Sequence, residues 1–181
     1  MNKDYDSTND TTVHIQNVQE YIYKIIHDLW ERSVHHDKSK LQSYEKPFLD
    51  IFTPKLKGCT YGSDEYKRYL KEMQVAIDHH YQNNRHHPEH FKYWECNGCF
   101  TKYKVNPLVC KMCGYSQFTE RPNISGMNLI DIIEMFCDWM AATKRNTDGD
   151  IHKSIEINKD RFEMSDDLAE IFKNTIRDLN W

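Results

Sequence analysis

The stretch TTVHIQNVQEYIYKIIHDLW, residues 11–30, decides the fold class. Val13, Val18, Tyr21, Ile22, Ile25, Ile26, Leu29 and Trp30 recur every three or four positions, the period of one apolar stripe on a helix. Similar spacing returns along the chain. A polar-apolar segment runs from Val34 to Phe52, with Pro47 starting a new turn, and Thr53 to Gly62 reads as a loop. Ser63, followed by Asp64 and Glu65, caps a helix whose stripe is Tyr66, Tyr69, Leu70, Met73, Ile77, His80 and Tyr81 and which frays at Asn83 and Asn84. A fourth helix is expected from Met127 to about Arg145 with Ile130, Ile133, Cys137 and Met140 inward. A fifth covers Ile151 to Phe162, and Ser165 caps a sixth. Six glycines and five prolines are few for a turn-rich sandwich, so the expected class is all-α.

Lysine plus arginine is 24 and aspartate plus glutamate 28, a formal charge of −4 that excludes a whole-domain basic footprint for nucleic acid. Hydrophobic residues at 39% suffice for a packed core. No apolar run approaches the ~20 residues of a membrane span. The opening MNKDYDSTND reads as a loose polar arm over residues 1–10, neither signal peptide nor anchor. The expected organisation is a helical domain over 11–92 and 122–181, interrupted at 93–121 by an insertion of different texture.

That insertion carries Cys96-x2-Cys99 and Cys110-x2-Cys113. Four thiolates so spaced can surround zinc tetrahedrally, and Gly98 and Gly114 allow tight knuckle turns. The pattern resembles a zinc ribbon or knuckle. A closed four-sulfur site is structural rather than catalytic. Paired CxxC knuckles without an export signal point to a reducing cytoplasm, the host's if the chain is phage-encoded. Lys102, Tyr103, Lys104, Lys111 and Tyr115 interleave charge and rings, which suits a nucleic-acid strand or protein partner as well as a solvated tip. Cys59 and Cys137 read as ordinary buried thiols.

The chemistry-bearing stretch is His35-His36-Asp37-Lys38-Ser39-Lys40. An adjacent His-Asp pair offers nitrogen and oxygen to a divalent metal, and a lysine three residues past Asp37 can meet a phosphate beside it. Here the chain resembles the HD superfamily of metal-dependent phosphohydrolases, with Ser39 where many members carry glycine. The resemblance implies an HD-like helical bundle with His36 and Asp37 as ligands. Its late acid is Asp138 in Cys137-Asp138-Trp139-Met140-Ala141-Ala142, preferred over Asp131. Its added histidines resemble His79 and His80, with His86, His87 and His90 in reserve. Its distant histidine is His14, which could reach the same ion only if the chain breaks and folds back before His36, with Arg32 to Val34 the expected place. Thr53 to Gly58, Asn84 to His90 and Gly149-Asp150-Ile151 suggest a small phage and bacterial branch.

The function this implies is hydrolysis of a phosphoester, a nucleotide or nucleotide-derived signal, by water activated on one or two divalent ions (Mn, Fe, Co, Mg or Zn). Lys40, with Arg85 or Arg145, would offset phosphoryl charge, and Glu134 or Asp131 would orient water or a ligand histidine. Two rivals stand beside it: a di-iron HD-type oxygenase on the same ligand set, and a non-catalytic protein that binds a host nucleic acid or protein through its zinc ribbon, the histidine site being vestigial.

Overall fold

The computed structural model describes residues 5–60, 63–144 and 149–180. Residues 1–36 form one compact unit and residues 37–181 another. The described residues are mostly helical, with one small sheet.

The first unit is α1, Thr8–His35, an unbroken helix of 28 residues that begins inside the expected arm. No glycine or proline interrupts it, and none of its residues is buried. It ends after His35, not at Arg32 to Val34, because His36 turns extended (φ −47°, ψ 126°). At 1.5 Å per residue, 22 residues of helix put His14 and His36 about 33 Å apart. The expectation that both reach one ion within a chain is therefore corrected by the missing break.

In the second unit a 3-10 turn at Lys38–Leu41 leads into α2, Lys46–Lys57. Pro47 lies in the first turn of α2, as expected, but the helix continues through Pro54 into the supposed loop. Buried Phe52 anchors it, and Gly58 closes it by donating its N–H back to Lys55. The single helix expected from Ser63 is two, α3 (Asp64–Glu72) and α4 (Gln74–Asn83), because Met73 leaves helical geometry at φ −99°, ψ 14°. Met73 is itself buried, so the joint packs inward.

The inserted segment forms an antiparallel sheet with β1 (Tyr93–Cys96) between β2 (Lys102–Tyr103) and β3 (Phe118–Arg121). Trp94 lies opposite Tyr103 on one side and Glu120 on the other, and Cys96 opposite Phe118.

The chain then enters α5 (Leu129–Thr143), α6 (Ile151–Phe162) and α7 (Asp166–Asp178). Asn128 and Asp131 form a reciprocal capping box at the start of α5. Asp150 caps α6 and Ser165 caps α7. The hydrophobic core lies among these three helices: Met135, Phe136 and Trp139 pack with Ile155, Phe162, Phe172 and Ile176. Phe136 stacks on Phe172 with ring centres 4.5 Å apart, and Trp139 meets Phe172 edge-on at 5.8 Å.

The inward face of α5 differs from the expected one. Ile130, Ile133 and Met140 are half-buried and Cys137 is exposed, while Met135, Phe136 and Trp139 face the core. Cys137 is thus not a buried thiol, and Cys59 is half-buried. The acidic residues of α5 also point inward: Asp131 is fully buried and the Glu134 side chain is 9% exposed. A helix covered on two sides needs partners for its acids, and these are Arg85 for Asp131 and His86 for Glu134.

Candidate metal centre

Asp37 sits at the start of the second unit in the left-handed region, φ 55° and ψ 14°. That conformation is uncommon for a side-chain-bearing residue, though aspartate tolerates it better than most. The following 3-10 turn folds Lys40 back so that its Nζ donates to Asp37 Oδ2 at 2.5 Å. The other carboxylate oxygen, Oδ1, faces His80 Nε2 at 3.3 Å and His86 Nε2 at 3.5 Å.

His80 comes from the last turn of α4. His86 and His87 come from the extended segment beyond it, where Pro88 keeps His87 out of the helix at φ −99°, ψ 127°. His87 meets His80 through this turn, not along a helix face, with their Nε2 atoms 2.9 Å apart. Asp37, His80, His86 and His87 each offer a ligand atom, and all four atoms lie within 4.8 Å of one another.

What turns these atoms towards a common point is a carboxylate behind each of two rings. His80 Nδ1 lies 2.9 Å from Glu45 Oε2, and His86 Nδ1 lies 3.2 Å from Glu134 Oε1. A carboxylate only accepts, so each Nδ1 carries the proton and each Nε2 presents a lone pair. With His87 Nε2 and Asp37 Oδ1 close by, these two lone-pair nitrogens belong to a group that could hold a divalent cation once the His80–His87 hydrogen bond opens.

Glu45 is 1% exposed and was not singled out in the sequence. An acid at a helix start is ordinarily read as a partner of the helix dipole, so nothing local distinguishes it. Its other oxygen accepts from His79 Nδ1 at 2.7 Å. Asn84, also buried and also missed, donates to Ser39 Oγ at 2.8 Å and to the His80 carbonyl at 2.8 Å. Glu45→Gln should weaken Mn2+ binding by roughly ten- to a hundredfold, because the amide can donate into Nδ1 and favour the wrong tautomer. Calorimetric titration checks this, and an unchanged affinity would show that Glu45 does not orient His80.

His80 and His87 are both held below the ordinary imidazole value. Burial is the chief cause for His80, with Lys40 adding to it. Burial also leads for His87, and the neighbouring His86 and His80 help push it down to about 2. Both rings are therefore neutral at pH 7, the form that binds metal. An unfolded chain protonates such rings near pH 6.5. Above that pH both states are neutral and the rings contribute no pH dependence. Below it the unfolded chain binds protons that the folded chain refuses, so stability falls with acidification. The urea midpoint of metal-free protein should drop from pH 7 to pH 5, and the drop should shrink in His87→Gln. An equal drop in that variant would refute the assignment.

Other expected ligands lie elsewhere. His79 is bound to Glu45 and stacked on Tyr44 with ring centres 5.0 Å apart, and His90 Nδ1 faces the Tyr81 carbonyl at 3.0 Å. Asp131 accepts from Arg85 Nε and Nη2 at 3.2 and 3.0 Å and from the Asn128 N–H at 3.0 Å. The expectations of Asp131 as a ligand and Arg85 as a phosphate contact are thus corrected, since each occupies the other. The Arg85 guanidinium also lies over the Phe91 ring. Asp138 has a carboxylate oxygen within 4.8 Å of one of Asp37, so of the two late acids it is the one beside the cluster. His36 follows the last residue of α1 and closes the first unit. Arg145 lies outside the described residues.

A second group forms in the sheet segment. Cys96 Sγ lies 3.6 Å from Cys113 Sγ, and Cys99 Sγ lies 3.5 Å from Cys110 Sγ, with all four sulfurs within 4.8 Å of one another. No disulfide joins them. Tetrahedral ligands at ~2.3 Å from zinc stand roughly 3.8 Å apart, close to these separations. The knuckles explain their glycines. Gly114 has φ +74°, and a Cβ on Gly98 would lie 3.1 Å from the Tyr115 ring and 3.4 Å from Cys113 Sγ. The Tyr103 hydroxyl, 3.1 Å from Cys110 Sγ, is the main cause holding that thiol down at about 6, which favours the thiolate that binds metal.

Residues 3–178 match a family described as "Family of unknown function (DUF5662)". The chain belongs to DUF5662. No curated protein matches it, and no solved structure does. In this DUF5662 chain two cavities meet the histidine cluster. A cleft of about 450 Å³ runs from His87 and Asp138 along α5 and α6 to Lys153, Asn158 and Arg161. A smaller cavity of about 200 Å³ lies among α2, α3 and α4, lined by Leu49, Leu56, Leu70, Met73, Ala76 and Ile77, and ends on Lys40, Glu45, His80 and His87. Among the described residues no helix is long and apolar enough to cross a membrane.

Proposed function

We propose that this protein is a metal-dependent phosphoester hydrolase whose ion is held by Asp37, His80, His86 and His87. The observation that carries the reading is the pair of carboxylate-backed imidazoles, Glu45 behind His80 and Glu134 behind His86, both turned to Asp37 Oδ1. The resemblance of His36-Asp37, Lys40 and the later Asp138 to the HD superfamily supports the choice of phosphoester chemistry.

A divalent ion bound there supplies a Lewis acid that lowers the pKa of water from 15.7 towards 7. The protein's residues do the rest. Lys40, 2.5 Å from Asp37 Oδ2, stands beside the donor set and offsets charge on the phosphoryl oxygens. Asp138, which lines the cleft with His87, orients the attacking water. The water oxygen bonds to phosphorus, the ester P–O bond breaks, and the proton given up by the water passes to the departing alcohol oxygen. We assign the four-cysteine group to structural zinc, which fixes the sheet segment and takes no part in this step.

The test is phosphate release from a panel of phosphomonoesters and phosphodiesters by protein purified with Mn2+. Release that survives a strong chelator, or none from any ester by Mn2+-loaded protein, overturns the reading. Anaerobic purification separates the oxygenase rival, which requires an iron absorption signature and uptake of dioxygen.

A further inference from the structure

We infer that the smaller cavity receives the alcohol portion of the substrate, and that this portion is a compact apolar group, one aryl ring or a short alkyl chain, in place of a nucleoside. The inference rests on the phosphoester reading of the same site.

The cavity measures about 200 Å³, and its lining is mostly aliphatic, with Tyr81, Glu45, Lys40, His80 and His87 as the polar side chains. An enclosed apolar cavity of about 150 Å³ holds benzene, so the volume here suits one ring. Of its polar side chains, His80 and His87 also belong to the proposed ion's ligands, and Lys40 is bound to Asp37. A phosphoester there keeps its phosphoryl group beside Lys40 and His87 while its alcohol portion points away among the aliphatic walls. A nucleobase carries donors and acceptors around its edge, and leucine, methionine and isoleucine would leave them unpaired. A phenyl or alkyl group loses nothing by the same move. The larger cleft, which His87 also lines together with Asp138, Lys153 and Asn158, suits water and released phosphate.

Calorimetric titration of Mn2+-loaded protein with benzylphosphonate, methylphosphonate and adenosine 5′-monophosphate tests this. Benzylphosphonate should bind at least about tenfold more tightly than methylphosphonate. Leu56→Trp and, separately, Leu70→Phe fill the cavity from half-buried positions and should erase that advantage while leaving the affinities for Mn2+ and methylphosphonate unchanged. Equal affinities of the two phosphonates on Mn2+-loaded protein overturn the inference and leave the metal centre standing. An advantage that persists in both filled variants, or tighter binding of the nucleotide than of benzylphosphonate, also overturns it. Failure of the wild-type protein to bind Mn2+ overturns the phosphoester reading, and the inference with it.

Discussion

Asp37→Asn should lose Mn2+ binding by at least about a hundredfold, and phosphate release should fall by more than that. The expected loss exceeds the ten- to hundredfold typical of a residue that only orients a ligand, because Asp37 supplies the one carboxylate oxygen facing both His80 Nε2 and His86 Nε2. Asparagine is a cleaner substitution than alanine. It keeps the volume and, like aspartate, tolerates the left-handed backbone found here at φ 55°. Alanine would add backbone strain to the lost ligand and confuse the two effects. Mn2+ titration, with circular dichroism to confirm that the helices remain, measures the result. Near-wild-type Mn2+ affinity in Asp37→Asn would remove the metal centre as described.

Cys110→Ser should abolish stoichiometric zinc and unfold β1 to β3 while the helical core remains. Structural zinc in small peptide sites contributes about 10–16 kcal/mol of folding free energy. The strands are only 4, 2 and 4 residues long, too short to persist without it. Cys110 is also the thiol whose pKa the Tyr103 hydroxyl lowers. The aromatic core of Phe136, Trp139 and Phe172 contains no sheet residue and should keep its cooperative transition. Metal analysis combined with hydrogen exchange across residues 93–121 reads both parts. Full protection of the strands in a zinc-free variant would show that the sulfurs are not the scaffold.

Much of the helical fold was legible because amphipathic spacing and caps are local signals. Ser63 and Ser165 each cap a helix, and α6 spans the stretch its pattern indicated. The misplacements have local causes too. Pro54 suggests a stop, but a helix anchored by Phe52 and closed at Gly58 carries through it. The stripe on α5 was misread because apolar and acidic residues there are both covered. Core aromatics lie on one side, while Asp131 and Glu134 meet Arg85 and His86.

By itself the sequence determined the helical class, the paired cysteine knuckles and the set of histidines and acids from which a centre could be drawn. Each of these depends on neighbours a few residues apart. Only the tertiary structure decided which members converge. His80, His86 and His87 face Asp37 across about 43 to 50 positions of chain, and Glu45 reaches His80 across 35. His79, adjacent to His80, is turned aside, since successive residues on a helix point about 100° apart. Burial supplies the physical reason: a carboxylate or imidazole withdrawn from water needs a partner, and the fold, not the local pattern, determines which one it finds.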